Sequence, residues 1–385
     1  MRLLLLWLGG VCTRLTLLAV PPLIPLIHRD LNLDEKAVGA LVSGPVLVLA
    51  IASVPGSLLI ARLGARTALL AGLGSVALFG ALRGYGPSVP VLFTSTFLMG
   101  IGVAVTQPAF PALVREWFPR RIAIATAVYS NGILIGETLP TALTTPAGVL
   151  PLAHGDWRWA LASWSVLVLV SAVAISVAAP SRHASPPVPG RWWPNWLENQ
   201  TVRIGVVMGM ASATYFGANA YIPDFLDQSG RHGLISPALA LLNGAQLLTA
   251  PVVALWPRIM IGRAGFIGSA VLMGIAQVGL ILTPGAGVVA WAFLLGFATA
   301  LAFVVVLSLP PRLAPPGGVA RMSAAIFTIQ YLTAFVIPLI AGALWDLTGQ
   351  AAFAFAPGMV AAVAMAWGAM ALRVQSRGEL PPGPA

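Results

Sequence analysis

Two charged side chains stand deep inside otherwise apolar stretches of this 385-residue chain, Arg14 and Glu137. Arg14 lies in LLLLWLGGVCTRLTLLAVPPLIPLI, Leu3 to Ile27. That stretch is long enough to cross a bilayer. At about 1.5 Å per residue Arg14 falls about 16 Å deep, near the middle of a hydrocarbon core about 30 Å thick. A guanidinium there costs about 2.5 to 3.5 kcal/mol on insertion scales and cannot escape by losing its proton. It must face a protein interior or a wet cavity. A fixed planar cation with five donors suits an anion or a polarised small planar molecule. The structural alternative is a tie to backbone carbonyls that holds helices together. Glu137 lies about fifteen residues into a second apolar stretch that runs in the same direction, so the two charges share a similar depth. Three roles are open to it: neutralising Arg14, exchanging a proton with the medium, or contacting a substrate. A carboxylate whose partner is displaced by a substrate also shifts its proton affinity, which would couple transport to protons.

The other polar groups inside apolar stretches are neutral. Gln107 stands beside Pro108, and Tyr129 and Asn131 share the stretch of Glu137. The second half of the chain carries Tyr215, Asn219, Gln246, Gln330 and Tyr331. Each could serve as an interhelical hydrogen bond worth about 0.6 kcal/mol. As a set they describe a cavity charged on one half and polar but neutral on the other. The four histidines, His28, His154, His183 and His232, fall in loops or linker, with no metal-ligand spacing. No phosphate-binding loop or nucleophile motif is present in the sequence, so neither a cofactor nor an enzymatic activity is expected. Without a nucleotide-binding domain, energy must come from a gradient or from the substrate itself.

The elements that must position these groups are membrane spans. The chain is 58% hydrophobic and 8% charged, against about 25% charged residues in a soluble domain. Its 40 glycines and 32 prolines suit transmembrane helices. Cys12, the single cysteine, lies inside the first span as a small packing residue and excludes an intrachain disulfide. Twelve spans can be drawn: Leu3–Ile27, Ala37–Ile60, Thr67–Leu82, Val89–Leu113, Ile122–Leu150 and Trp159–Ala179, then spans near Val202–Phe225, Leu234–Trp256, Gly265–Leu282, Gly287–Leu309, Ala320–Leu344 and Ala351–Leu372. This gives an all-α polytopic membrane protein of two six-helix pseudo-symmetric bundles, residues 1–179 and 202–373. A Pro- and Trp-rich cytoplasmic linker, 180–201, joins them and a cytoplasmic tail, 374–385, follows.

The net charge of +10 follows from membrane topology rather than from nucleic-acid binding. On this assignment fifteen basic residues lie on one side and five on the other, with Arg14 completing the 21. The positive-inside rule then puts both termini in the cytoplasm. The apolar start runs to full spanning length without a small-residue cleavage site, so no cleavable signal peptide is expected. An internal register supports two parallel repeats around a central site. Pro140 and Pro338 are 198 residues apart, as are Pro25 and Pro223, and the same offset sets Met99-Gly100 on Phe297-Ala298.

The turn GSLLIARLGAR resembles the loop signature of the major facilitator superfamily: a Gly, an acid five positions on, a basic residue, then Gly and another basic residue. Gly56, Arg62, Gly64 and Arg66 match and imply the conformational-switch loop of that family. Ala61 occupies the acidic position, which removes the latch that acid makes in relatives. The corresponding second-half turn, WPRIMIGRAG, keeps only its basic residues and Gly. TRLTLLAVPPLIPLI, Arg83 ending the third span, GIGVAVTQPAFPALVREWFPRR, Gln246 and Gln330 are similar to the cyanate and 2-nitroimidazole permease branch. Glu137 departs from the cyanate permease pattern, where small residues are usual.

The resulting expectation is a monomeric secondary active transporter in a bacterial cytoplasmic (inner) membrane, working by alternating access. Its partner would be a small molecule, anionic or polar and planar, of the cyanate, nitroimidazole or small organic acid kind, with H+ as an open second partner. Arg14 would be the main ligand. The polar partners would be Gln107, Tyr129, Asn131, Tyr215, Asn219, Gln246, Gln330 and Tyr331, with Glu137 as charge partner or proton carrier. The alternative is an exporter of drugs or metabolites, in which apolar cations compete for the site.

Overall fold

The computed structural model describes residues 1–33, 35–85, 88–144, 155–179, 193–196, 198–256 and 263–371. Most of the expected linker, the whole expected tail, and the positions 145–150 assigned to the fifth span lie outside the described residues. Fifteen α-helices are described: α1 (Arg2–Leu18), α2 (Ile24–Leu31), α3 (Glu35–Leu63), α4 (Ala65–Leu82), α5 (Val89–Trp117), α6 (Ile122–Leu143), α7 (Trp157–Ala178), α8 (Asn199–Gln228), α9 (Ile235–Gly244), α10 (Thr249–Leu255), α11 (Arg263–Leu282), α12 (Gly287–Leu307), α13 (Pro310–Leu313), α14 (Val319–Thr348) and α15 (Ala356–Ala371). Among the described residues all regular structure is helical.

Eleven segments are long and apolar enough to cross a membrane. Helix α8, the seventh span of the sequence reading, falls outside that set although its 30 residues make it about 45 Å long. Its middle carries Ser212, Thr214, Tyr215, Asn219 and Tyr221, which lower its hydropathy. A polar spanning helix needs protein around it, and α8 packs against α14, α15 and α12.

The first span is not continuous. α1 ends at Leu18, a 3-10 turn takes Pro21–Leu23, and α2 resumes at Ile24. Pro21 and Pro22 lack the N–H groups that a continuous helix would use. The positions 198 residues on are Asn219 and Ala220, and there α8 stays helical. The eighth span is interrupted as well: α9 and α10 are joined by a 3-10 turn, Ala245–Leu248.

Glycines set the closest helix crossings. A Cβ at Gly10 would strike the backbone carbonyl of Tyr129, one at Gly132 the carbonyl of Trp7, and one at Gly136 the carbonyl of Val11. α1 and α6 therefore approach along backbone, the small-residue packing that apolar spans use where hydrophobicity gives no drive. Gly296 does the same for α12 against Leu242 of α9.

Within the first six spans α1 packs on α6 and α7, and α5 on α3 and α4; within the last six α8 packs on α14, and α12 on α9 and α11. The two sets meet where α14 lies against α3 and α5, and where α10 lies against α6. At the end that carries Arg62, Arg66 and Arg115, the Arg115 Nη1 donates to the carbonyls of Ala314 (2.5 Å) and Pro315 (3.3 Å), past the C-terminus of α13. Thr328 Oγ1 adds a bond to the Ala50 carbonyl at 2.8 Å. The halves are thus tied at the arginine-rich end.

Candidate functional site

Arg14 sits one turn beyond Gly10, and Glu137 follows Gly136. The same backbone-to-backbone crossing that joins α1 to α6 therefore sets the two charges side by side. Arg14 Nε lies 3.3 Å from Glu137 Oε1. Arg14 is 4% exposed. Its Nη2 donates to the Tyr331 hydroxyl at 2.7 Å, and its guanidinium stands 5.8 Å from that ring's centre. Tyr331 belongs to α14, so this bond joins the two halves across 317 residues. Tyr331 also meets the side chain of Gln107 on α5. Gln107 Nε2 is buried without a hydrogen-bond partner among the described residues.

Arg14, Glu137 and Tyr331 border a cavity of about 40 Å³ at the junction of the halves, whose lining does not include Gln107. By the volume one water needs, it holds roughly three waters or a ligand of a few heavy atoms. Arg14 and Glu137 line it from the first half; Ser212, Tyr215, Gln246, Thr299, Gln330 and Tyr331 line it from the second, with Phe216 and Phe303. Ser212 stands 198 residues after Arg14, so the symmetric counterpart of the cation is a neutral hydroxyl. The charge is confined to one half, as the sequence pattern implies. A larger groove of about 570 Å³ between α11, α12 and α15 is lined by Gly, Ala, Val, Ile and Trp291. It has no charged group to orient a ligand and opens where lipid tails would lie.

The second-half wall is held by two hydrogen-bonded groups. Tyr215 OH donates to Asn243 Oδ1 at 2.6 Å, and Asn243 Nδ2 donates to Asn219 Oδ1 at 3.0 Å. Asn219 Nδ2 turns to the Tyr215 backbone carbonyl at 3.0 Å. Gln330 Nε2 bonds Ser212 Oγ at 2.9 Å. Asn243 was not among the residues singled out from sequence, though a signal exists: it precedes Gln246 by three residues, the spacing of one helical face.

Of the expected substrate contacts, the structure does not bring Gln107, Tyr129, Asn131 or Asn219 to the lining of this cavity. Tyr129 is buried inside the first bundle, stacked on Phe110 with centroids 5.2 Å apart at 7°. Asn131 Oδ1 accepts from Trp7 Nε1 at 3.1 Å, a second tie between α6 and α1. In the expected switch loop, Gly64 takes a φ of +82° before α4. A Cβ at Gly56 would come within 3.0 Å of the Val105 backbone. Arg66 Nη2 donates to the Ser176 carbonyl at 2.6 Å, and Arg62 is exposed. Arg83 is buried and donates to the Thr16 carbonyl near the end of α1.

Two bundles of spanning helices around a central polar cavity, with a buried cation at their junction, define a membrane transporter. Residues 6–338 match the model of the Major Facilitator Superfamily. The chain belongs to this family, and with it has the twelve-helix fold and is a secondary transporter of small molecules rather than an enzyme. It is similar to the cyanate transport protein CynX of Escherichia coli (strain K12), at 24% identity over 90% of this chain and 91% of that one. It is equally similar to the 2-nitroimidazole transporter of the same organism, at 24% identity over 88% of this chain and 86% of that one. Among solved structures, the transporter FucP in the outward conformation superposes with a TM-score of 0.75 at 12% identity, over 97% of this chain and 98% of that one.

Proposed function

We propose that this protein moves a small anionic or polar planar organic molecule across a bacterial cytoplasmic membrane, in exchange with or together with a proton. Residues 1–179 and 202–373 would be the two bodies that rock about the central cavity, with the linker, the tail and both termini on the cytoplasmic side and the protein working as a monomer. The observation that carries this reading is the Arg14 junction. A buried guanidinium touches a carboxylate of its own half and a phenol of the other half, at the wall of a cavity sized for a few heavy atoms. A substrate that competes for Arg14 loosens the contact between halves, which is what alternating access requires. Arg14 is already neutralised by Glu137. An incoming anion therefore leaves a buried net negative charge unless Glu137 takes a proton, which favours one proton per anion. The names of the relatives, cyanate and 2-nitroimidazole transporters, fit this size and polarity.

The test is thermal stabilisation of the purified wild type and of Arg14→Ala by cyanate, small aromatic acids and 2-nitroimidazole. A ligand of the folded state raises stability by RT ln(1 + [L]/Kd). A ligand that stabilises the wild type and not the variant supports the reading. Equal stabilisation of both refutes Arg14 as the main ligand.

A further inference from the structure

The second-half wall of the cavity has a hydrogen-bond polarity that can be traced atom by atom. The side-chain amide of Asn243 is pinned by a backbone group: one of its atoms lies 2.9 Å from the Leu239 carbonyl. A carbonyl only accepts, so that atom is Nδ2, and Oδ1 occupies the other position. Oδ1 lies 2.6 Å from the Tyr215 oxygen. An amide oxygen only accepts, so Tyr215 must give its proton to Asn243. Nδ2 spends its second hydrogen on Asn219 Oδ1 at 3.0 Å. Asn219 is pinned in turn by its donation to the Tyr215 backbone carbonyl. Gln246 Nε2 reaches the same Asn243 oxygen at 3.5 Å, and the side-chain amides of Gln246 and Asn219 both approach the Tyr215 phenol. With Asn219 Nδ2 donating to the Tyr215 backbone carbonyl and Gln246 Nε2 to Asn243, the Tyr215 oxygen keeps an acceptor position for a ligand. Gln330 is not fixed this way, because its partner Ser212 is a hydroxyl that serves either polarity.

Tyr215 lines the cavity and Asn243 does not. A ligand at this wall meets a phenol oxygen that has no proton to offer, while at the opposite wall it meets the donors of Arg14. We propose that Asn243 is a positioning residue that turns Tyr215 into an acceptor, so that the site selects small molecules carrying an N–H or O–H donor as well as an acceptor and disfavours donorless anions. This inference rests on the proposed substrate role of the cavity and narrows the substrate class within it. A buried acceptor left without a donor is what makes such a site reject the analogue that lacks one.

The experiment measures binding of 2-nitroimidazole, 1-methyl-2-nitroimidazole and cyanate to the purified full-length protein. The wild type is expected to bind the N–H form at least tenfold more tightly than the N-methyl form and than cyanate. In Asn243→Leu, Tyr215 is free to turn its proton into the cavity, and the ratio between N–H and N-methyl forms should fall toward one. A merely steric penalty for the methyl group would survive in that variant. Asn243→Asp keeps an acceptor opposite Tyr215 and should keep the preference. A wild-type ratio near one, or a ratio unchanged in Asn243→Leu, overturns the proposal. Arg14→Ala tests the underlying site separately, since it should remove binding of both nitroimidazoles whatever their ratio. A second readout needs no ligand. The infrared C–O stretch of Tyr215, isolated with labelled tyrosine by difference from Tyr215→Phe, should show a hydrogen-bond donor in the wild type. A band typical of a phenol that only accepts would overturn the proposal by itself.

Discussion

At the residue scale, the Arg14–Glu137 pair is the buried charge at the wall of the proposed site. Removing one member leaves the other buried without its counter-charge, which typically costs about 3 to 5 kcal/mol. Glu137→Ala is therefore expected to lower the melting temperature of the purified protein, and the double variant Arg14→Ala/Glu137→Ala to recover part of the loss. Recovery is read in thermal unfolding of all four forms. A double variant less stable than both single ones would show that the pair is not the relevant unit. The isosteric Glu137→Gln separates transport from structure. It keeps the shape and a hydrogen-bond acceptor but cannot exchange a proton. In liposomes it should lose accumulation driven by an inwardly acid-outside pH gradient and keep substrate exchange. Continued accumulation under that gradient would make Glu137 a structural counter-ion. Arg14 and Glu137 are legible in the sequence because an ionisable group in an apolar span is rare and expensive. Asn243 is much less so, because a neutral amide in a span costs little and could face any neighbour.

At the element scale, the site depends on how closely α1 and α6 approach. Gly10, Gly132 and Gly136 leave backbone facing backbone, and any Cβ there collides with a carbonyl. Gly136→Val is expected to push the helices apart, cost about 1 to 3 kcal/mol as over-packing does, and separate Arg14 from Glu137. The check is stability together with ligand binding: binding should fall by more than the stability loss explains. Unchanged binding in a folded Gly136→Val would mean that the crossing does not set the pair. The interrupted eighth span is the other positioning device. The 3-10 turn Ala245–Leu248 carries Gln246, one of the lining residues, and such breaks in spanning helices are tolerated where they border a cavity. The break in the first span at Pro21 and Pro22 is readable from its prolines. The break in the eighth span has no proline inside the turn and follows only Gly244.

At the scale of the whole molecule, the halves are held at the arginine-rich end by Arg115 on the Ala314 and Pro315 carbonyls. Leu313 lies 198 residues after Arg115. The contact therefore sits one or two residues from the symmetric position, close to the axis that relates the repeats. Ala61 stands where relatives carry the acid of the loop signature, and the backbone carbonyls after α13 supply an acceptor for a cation at the same end. Arg115→Ala is expected to shift the halves toward opening there. Spin labels at Arg120 and Pro316, both exposed, should report longer distances in the variant than in the otherwise wild-type protein. An unchanged distribution would show that α14 against α3 and α5 suffices to keep that end shut.

The sequence by itself determined the class of protein, an all-helical polytopic membrane transporter with a cation in the first span that must face inward, and it carries the pattern from which a six-plus-six repeat and a basic cytoplasmic side are expected. These follow from hydropathy and charge, which are properties of each segment alone. Only the tertiary structure decided which polar side chains meet. It set Tyr331 on Arg14 across 317 residues, turned Asn131 to Trp7 and Tyr129 to Phe110, and brought Asn243 behind Tyr215. The face a spanning helix turns to a cavity depends on how its small residues let it cross its neighbours, and lipid gives no hydrophobic drive that would write that face into the segment's own pattern.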